Sequence, residues 1–272
     1  MAANMKAVKL RMKSIQSTMQ ITKAMELVAS SKLRKAKERA DASRPYFHTL
    51  ENTLEQIAAG NTDLSSVYTK KSKNEKWCYV VIAGDRGLAG GYNSNLFKEM
   101  ESQTAGKDYC VLPIGKKAVE YYKRRGIELV TEEFAEAGDI SVSDCFEIAA
   151  LLCRAFKAGE FGHAALGYTN FVSMLSQKPD VSSMLPLEDL SGEEKDMKQI
   201  HSLILYEPDS ETVFDAIVPE YLAGMVYGAM CESVASELAA RRTAMDAASK
   251  NAGEMIEQLS LYYNRARQAS IT

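Results

Sequence analysis

Two long helices flanking a compact α/β sheet domain are what this sequence predicts, and three observations lead there. The C-terminal stretch, Pro219 to Thr272, carries a heptad-like repeat of small and apolar residues. The first 44 residues carry a second such repeat and contain neither Gly nor Pro. Between them, short β-rich runs alternate with amphipathic stretches, the pattern of an open, mostly parallel sheet with covering helices.

In the N-terminal stretch the small and apolar seats fall at Val8, Met12, Ile15, Met19, Thr22, Met25, Ala29, Leu33, Ala36 and Ala40. The steps are threes and fours, so the seats share one face of a helix, and two successive fours near Ala29 read as a stutter. Eleven Lys/Arg stand against Glu26, Glu38 and Asp41, giving this segment +8 in a chain whose net charge is −3. A solvated basic coil face, or one facing an acidic protein surface, accounts for that charge better than nucleic acid does. The apolar seam is narrow, and aromatic residues are absent before Tyr46. Pro45 disfavours helix at Arg44, so a kink or boundary is expected there. The helical pattern then resumes through Leu50, Leu54 and Ile57 and stops at Gly60-Asn61.

Ser65 to Glu75 is polar and loop-like. Trp77 to Ala83 is a short apolar run that reads as a buried strand, leading into the glycine-rich GDRGLAGGYNSNLF, Gly84 to Phe97. Asn93 or Ser94 is the expected cap of a helix through Leu96 and Met100. Further strands are expected at Tyr109 to Ile114, Ile127 to Val130 and His163 to Phe171, with helices at Lys116 to Arg125 and from Ser143 or Asp144 through Ala158. Leu187 to Lys198 is an acidic connection, and His201 to Tyr206 is a last extended segment. The alternation makes this middle, 75–207, a Rossmann-like open sheet domain.

From Leu238 the C-terminal seam runs Leu238, Arg241, Met245, Ala248, Ala252, Met255, Leu259, Tyr262, Ala266 and Ala269. Small seats bury little area each, so such a helix needs a partner. Length decides the arrangement. At 1.5 Å per residue the first segment spans ~66 Å and the last ~80 Å, whereas a compact globule of this size has a radius of gyration of only ~18 Å. An antiparallel coiled coil of 1–60 with 209–272, protruding from the sheet domain, satisfies both seams. Pairing between molecules would satisfy them equally.

Several function classes are disfavoured by what the chain holds. Cys78, Cys110, Cys145, Cys153 and Cys231 are scattered without a paired spacing, and His48, His163 and His201 are isolated, so neither a disulfide framework nor a metal site is expected. No apolar run approaches the ~20 residues needed to span a bilayer. The glycines at 84, 87, 90 and 91 match neither GxGxxG nor a P-loop, so a tight strand-to-helix turn is expected rather than a nucleotide site. No Ser/His/Asp or Cys/His arrangement stands out, and no cofactor is expected. Arg241 is the odd member of the C-terminal seam, because an inward Arg is costly unless paired.

The segments ITKAMELVASSKLRKA with SRPY, GDRGLAGGYNSNLF, LYEPD, and SELAARRTAMDAASKNA with LYYNRARQASIT occur in this order from end to end. Together they resemble the γ subunit of F-type rotary ATP synthases. The resemblance implies a central shaft turning inside a ring of three alpha and three beta subunits. It would couple ion flow through a membrane-embedded c-ring to ATP synthesis or hydrolysis in that ring, with no active site of its own. It further implies contacts to the beta-subunit catch loops at Met25, Arg241, Gln268 and Thr272, and to the epsilon subunit and c-ring at Tyr206, Glu207 and Asp209. Membrane association would come only through the complex, at the cytoplasmic face of a bacterial membrane; a chain opening at Met1 without a transit peptide fits that source. Family members generally continue in helix past RQASIT, where this chain stops. The chloroplast members' regulatory cysteine insertion has no counterpart, so thiol control is not implied.

Overall fold

The structure is a computed structural model that describes residues 2–60, 65–70, 72–187 and 206–269. Its elements are α1 (Ala2–Gly60), β1 (Trp77–Ile82), α2 (Tyr92–Thr104), β2 (Tyr109–Ile114), α3 (Lys116–Arg124), a single 3-10 turn at Ala137–Asp139, α4 (Val142–Ala158), β3 (His163–Phe171), β4 (Gln177–Leu185) and α5 (Ser210–Ala269). The two terminal helices pair with each other, the first of the two arrangements that would satisfy the seams.

The α1 seam is half-buried or buried at Val8, Met12, Ile15, Met19, Thr22, Met25, Ala29, Leu33 and Ala36, stutter included. On α5 the seam keeps its seven-residue period at Met245, Ala252, Leu259 and Ala266. The seats between them are Ser249, Ile256 and Tyr263 rather than Ala248, Met255 and Tyr262; Met255 and Tyr262 are exposed. A step of three followed by four, or four followed by three, spans the same seven residues. The partner helix chooses between them. Opposite Ser249 stands Thr22, and their hydroxyls meet at 2.6 Å inside the coil. That bond makes the polar residue the better inward seat. Below it, Ala29, Leu33 and Ala36 pack on Ala235, Leu238 and Ala239.

Pro45 neither ends nor divides α1, which is continuous through it, as α5 is through Pro219. Buried seats farther along the helix, Ala36 before Pro45 and Leu54 and Ile57 after it, hold α1 in place and outweigh the one lost backbone bond. Immediately after it, Phe47 lies so close to Gly224 of α5 that any Cβ there would collide with its ring. Leu54 and Ile57 of α1 then join Phe214, Val218, Leu222 and Val226 of α5 in the main core, all of them without exposed surface.

The sheet runs β2-β1-β3-β4, with β1 parallel to β2 and β3, and β4 antiparallel at the edge. Alternate strand residues face opposite ways. Cys78, Val80, Ile82, Leu112, Ile114 and Leu166 pack on α4 and α5, while Tyr79, Val81, Val111 and Ala165 pack on Leu96, Met100, Ala118 and Tyr122 of α2 and α3. Both faces are covered, which is why these strands read as continuous apolar runs.

The antiparallel β4 escapes sequence expectation because Gln177–Leu185 is a half-exposed edge carrying Lys178, Pro179 and Asp180. The strand expected at Ile127 to Val130 reduces to one bridge, Val111 with Leu129, because its pairing to β2 is made through Val111 alone while Ile127 N–H turns back to the Tyr122 carbonyl. Helix α4 is capped by Ser141 in a capping box with Asp144, ahead of the expected cap at Ser143 or Asp144. Helix α2 begins at Tyr92 without a side-chain cap; Asn93 instead turns back to accept a bond from the Gly84 N–H at 2.9 Å. Ser66 and Tyr68, within the stretch expected to be loop, are buried, and the Ser66 hydroxyl donates to Asp215 at 2.5 Å. The expected extended segment at 201–206 lies outside the described residues except for Tyr206, as does the acidic connection beyond Leu187.

Candidate functional site: the surface of the paired helices

Met25 and Arg241 belong to one stretch of the coil. The antiparallel pairing fixes their levels, since both fall between the Thr22–Ser249 bond and the packing of Ala29, Leu33 and Ala36 on Ala235, Leu238 and Ala239. Met25 is half-buried on its seam. Arg241 has a partner within its own helix. Its Nη2 donates to Glu237 Oε1 at 2.6 Å, one turn back, and each side chain is only 14% exposed. The same Nη2 donates to the Gly87 carbonyl at 3.3 Å, in the glycine-rich loop. Glu237 escapes any search for apolar seats, yet its i,i+4 spacing from Arg241 is a legible pairing signal.

The loop from Gly84 to Gly91 is built to lie against this pair. A Cβ at Gly84 would come within 2.8 Å of the Glu237 carboxylate, so a side chain there would push that carboxylate aside. Leu88 adopts a left-handed φ of 62° and points its side chain outward, 65% exposed, with Gly90 left-handed behind it at 57°. Tyr92 closes the loop beneath. Burial first, and then the charge of Glu237, push its hydroxyl well above the ordinary tyrosine range.

Asp85 anchors the start of the loop. Its carboxylate accepts from the backbone N–H groups of Ala137 and Gly138 at 2.9 Å each, and from Lys116 at the start of α3 at 3.2 Å. The carboxylate thus ties the loop to the 3-10 turn and to the first N–H of α3. Among the described residues, no group of His, Cys, Asp and Glu could hold a metal ion, and no helix is long and apolar enough to cross a membrane.

The remaining expected contacts lie far from this stretch. Gln268 is exposed on the last turns of α5, ~40 Å along the helix from Arg241 at 1.5 Å per residue. Thr272 lies outside the described residues. Tyr206, Glu207 and Asp209 sit at the other end, where α5 begins. Tyr206 is half-buried against the main core and Glu207 is exposed. Asp209 caps α5: its carboxylate accepts from the Thr212 N–H at 2.8 Å and from the Thr212 hydroxyl at 2.9 Å. Those bonds, the backbone one foremost, hold its pKa below the usual carboxylate value. The structure therefore places the described members of the expected contact set in separate zones rather than one pocket: a waist near Arg241, a tip near Gln268 and a base near Asp209.

The family model described as ATP synthase matches residues 4–272. A chain from Ruminococcus albus named ATP synthase gamma chain is 48% identical over 275 residues, covering 99% of this chain and 94% of that one. The chain belongs to the ATP synthase gamma chain family. A further gamma chain, from Acetobacterium woodii and named sodium ion specific, is 38% identical over 100% of this chain and 95% of its own length. Among solved structures, the rotor of the Euglena gracilis mitochondrial ATP synthase in rotational state 1 matches with a TM-score of 0.68 at 20% identity, covering both chains fully. The OSCP/F1/c-ring structure of the same enzyme in rotational state 3 matches with a TM-score of 0.70 at 21% identity, covering 100% of this chain and 91% of that one. At such low identity these two establish a shared fold: paired terminal helices beside an open sheet.

Proposed function

We propose that this chain is the central shaft of a rotary ATP synthase. The observation that carries the proposal is the pairing of the two chain ends into one long coil with a sheet domain fastened at its side. Helices of 59 and 60 residues reach ~90 Å at 1.5 Å per residue, enough to carry a rotation from a membrane ring to a distant catalytic ring. The relatives' shared name and the rotor structures support the same reading.

In this role the chain performs no chemistry. Its partners are three alpha and three beta subunits around the coil, with the epsilon subunit and the c-ring at the base, on the cytoplasmic face of a bacterial membrane. An asymmetric shaft makes three otherwise equal beta sites different from one another at every angle. The contacts must be weak and replaceable, because a deep well at one angle would stall rotation. Polar groups at the edge of a coil suit this, since exposed charged and polar contacts contribute only about 0–1 kcal/mol each. Met25, Arg241, Gln268 and Thr272 are the proposed contacts to the beta-subunit loops, and Tyr206, Glu207 and Asp209 those to epsilon and the c-ring.

Expression of the tagged chain in its native host tests the reading. It is expected to co-purify with two larger ATPase subunits, each in about three-fold excess, and with ATP hydrolysis activity. Recovery of the chain alone, or with equimolar partners of another kind, overturns it.

A further inference from the structure

We propose that Glu237 is a positioning residue for Arg241, holding its guanidinium so that the loop 84–91 and the shaft turn as one body. The inference rests on the shaft reading above and adds to it a residue that works from inside the chain.

The geometry is specific to these two side chains. The Glu237 carboxylate has Arg241 Nη2 at 2.6 Å and the Gly84 backbone directly against it, and both charged side chains are largely withdrawn from water. In such a site a carboxylate without its cation is strongly disfavoured, and the reverse holds for the guanidinium. Arg241 then spends its second contact on the Gly87 carbonyl, across 154 positions of sequence. One acid thus fixes which rotamer Arg241 adopts, and that rotamer fixes the loop whose exposed tip is Leu88.

Hydrogen bonds elsewhere anchor the loop on either side of its crest, Gly87 and Leu88, the Ala89 carbonyl accepting from the Tyr92 N–H at 3.2 Å. Asn93 takes the Gly84 N–H and Asp85 reaches the start of α3 and the 3-10 turn. The carbonyl of Gly87, next to the left-handed Leu88, is tied to the shaft through Arg241. Without Glu237 the guanidinium regains rotamer freedom, swings toward solvent and releases the crest. The coil itself, packed through Leu238 and Ala239, stays intact. The consequence for a rotor is compliance: torque delivered at the waist is spent bending a side chain rather than moving a partner.

The test uses the complete α3β3γ complex reconstituted with this chain, comparing Glu237→Gln, Glu237→Asp, Arg241→Ala and the double variant Glu237→Gln/Arg241→Ala. Glu237→Gln is expected to lower kcat for ATP hydrolysis about five-fold with KM unchanged within about two-fold, as for an interaction felt in turnover rather than in substrate binding. Glu237→Asp is expected to recover part of that loss. The double variant is expected to be no slower than Arg241→Ala alone, because residues acting as one unit are not additive. Amide exchange at Leu88 and Ala89 should quicken in Glu237→Gln while exchange along α1 and α5 holds.

Three results overturn the proposal. They are additive losses in the double variant, a slowdown with unchanged exchange at the crest, and failure of Glu237→Gln to incorporate, which would make Glu237 a folding residue. Failure of the unaltered chain to assemble with the larger subunits overturns the shaft reading itself and is seen before any variant is made.

Discussion

At the scale of single residues, the sheet domain is fastened to the shaft by side chains that complete each other's hydrogen bonding. Strand β3 outruns its pairing with β1 after Gly167, and at Thr169 two serines of α5 replace the missing strand. Thr169 N–H donates to Ser233 Oγ at 3.2 Å, and Ser236 Oγ donates to the Thr169 carbonyl at 3.1 Å. Ser233 and Ser236 are buried, so the bond is made away from water. Replacing Ser236 with Ala is expected to lower stability by about 1–2 kcal/mol through the unsatisfied carbonyl, read as a shift of the urea midpoint at unchanged slope. Asp209 gives a pH test at the same scale. Its folded pKa lies below the ordinary 3.8, so its contribution is present above that value and fades as pH falls through the folded pKa. Asp209→Asn should remove this acid-side loss, and melting curves of the two chains between about pH 2 and 6 should converge at the acid end.

Among the elements, the crossing of α1 and α5 near Pro45 deserves its own test, because a glycine decides how near the helices come. The Phe47 ring fills the space that a side chain at 224 would need. Gly224→Val is expected to cost about 1–3 kcal/mol by overpacking, and Phe47→Ala in the same chain should relieve much of it, so that the two changes together destabilise less than their sum. Thermal unfolding of the four chains in this cycle measures the coupling directly. Additive losses would show that helix propensity, rather than close approach, sets the price of the change at 224.

For the whole molecule, the proposed contacts are distributed along a lever, and their effects should be graded by height. Truncation back from 272 past Gln268 is expected to weaken torque step by step while assembly with alpha and beta subunits persists, as single-molecule rotation under load would show. If loss of the last few residues already prevents assembly, the tip is structural and not a torque contact. Met25→Lys places a cation on the shaft at the level of Arg241's stretch. Reassembled complexes carrying it are expected to hydrolyse ATP more slowly and with a steeper temperature dependence, since an added strong contact deepens one angular well. An unchanged rate and temperature dependence would remove Met25 from the set of contacts.

By itself the sequence determined the two long helices, the α1 seam down to its stutter and the parallel strands, because hydrophobic period and length are local and additive signals; that the two chain ends pair with each other was settled by the fold. Tertiary structure decided what depended on a distant partner. Ser249 rather than Ala248 faces inward because Thr22 stands across the coil. The edge strand β4 exists because β3 offers it a ladder, although Lys178, Pro179 and Asp180 argue against a strand taken alone. Pro45 sits inside a helix because buried seats farther along, Ala36 before it and Leu54 and Ile57 after it, hold α1 on its partner. Arg241, conspicuous as a charge in an apolar seam, acquires its meaning only when the fold brings the Gly87 carbonyl to it, across a separation that no periodicity can span.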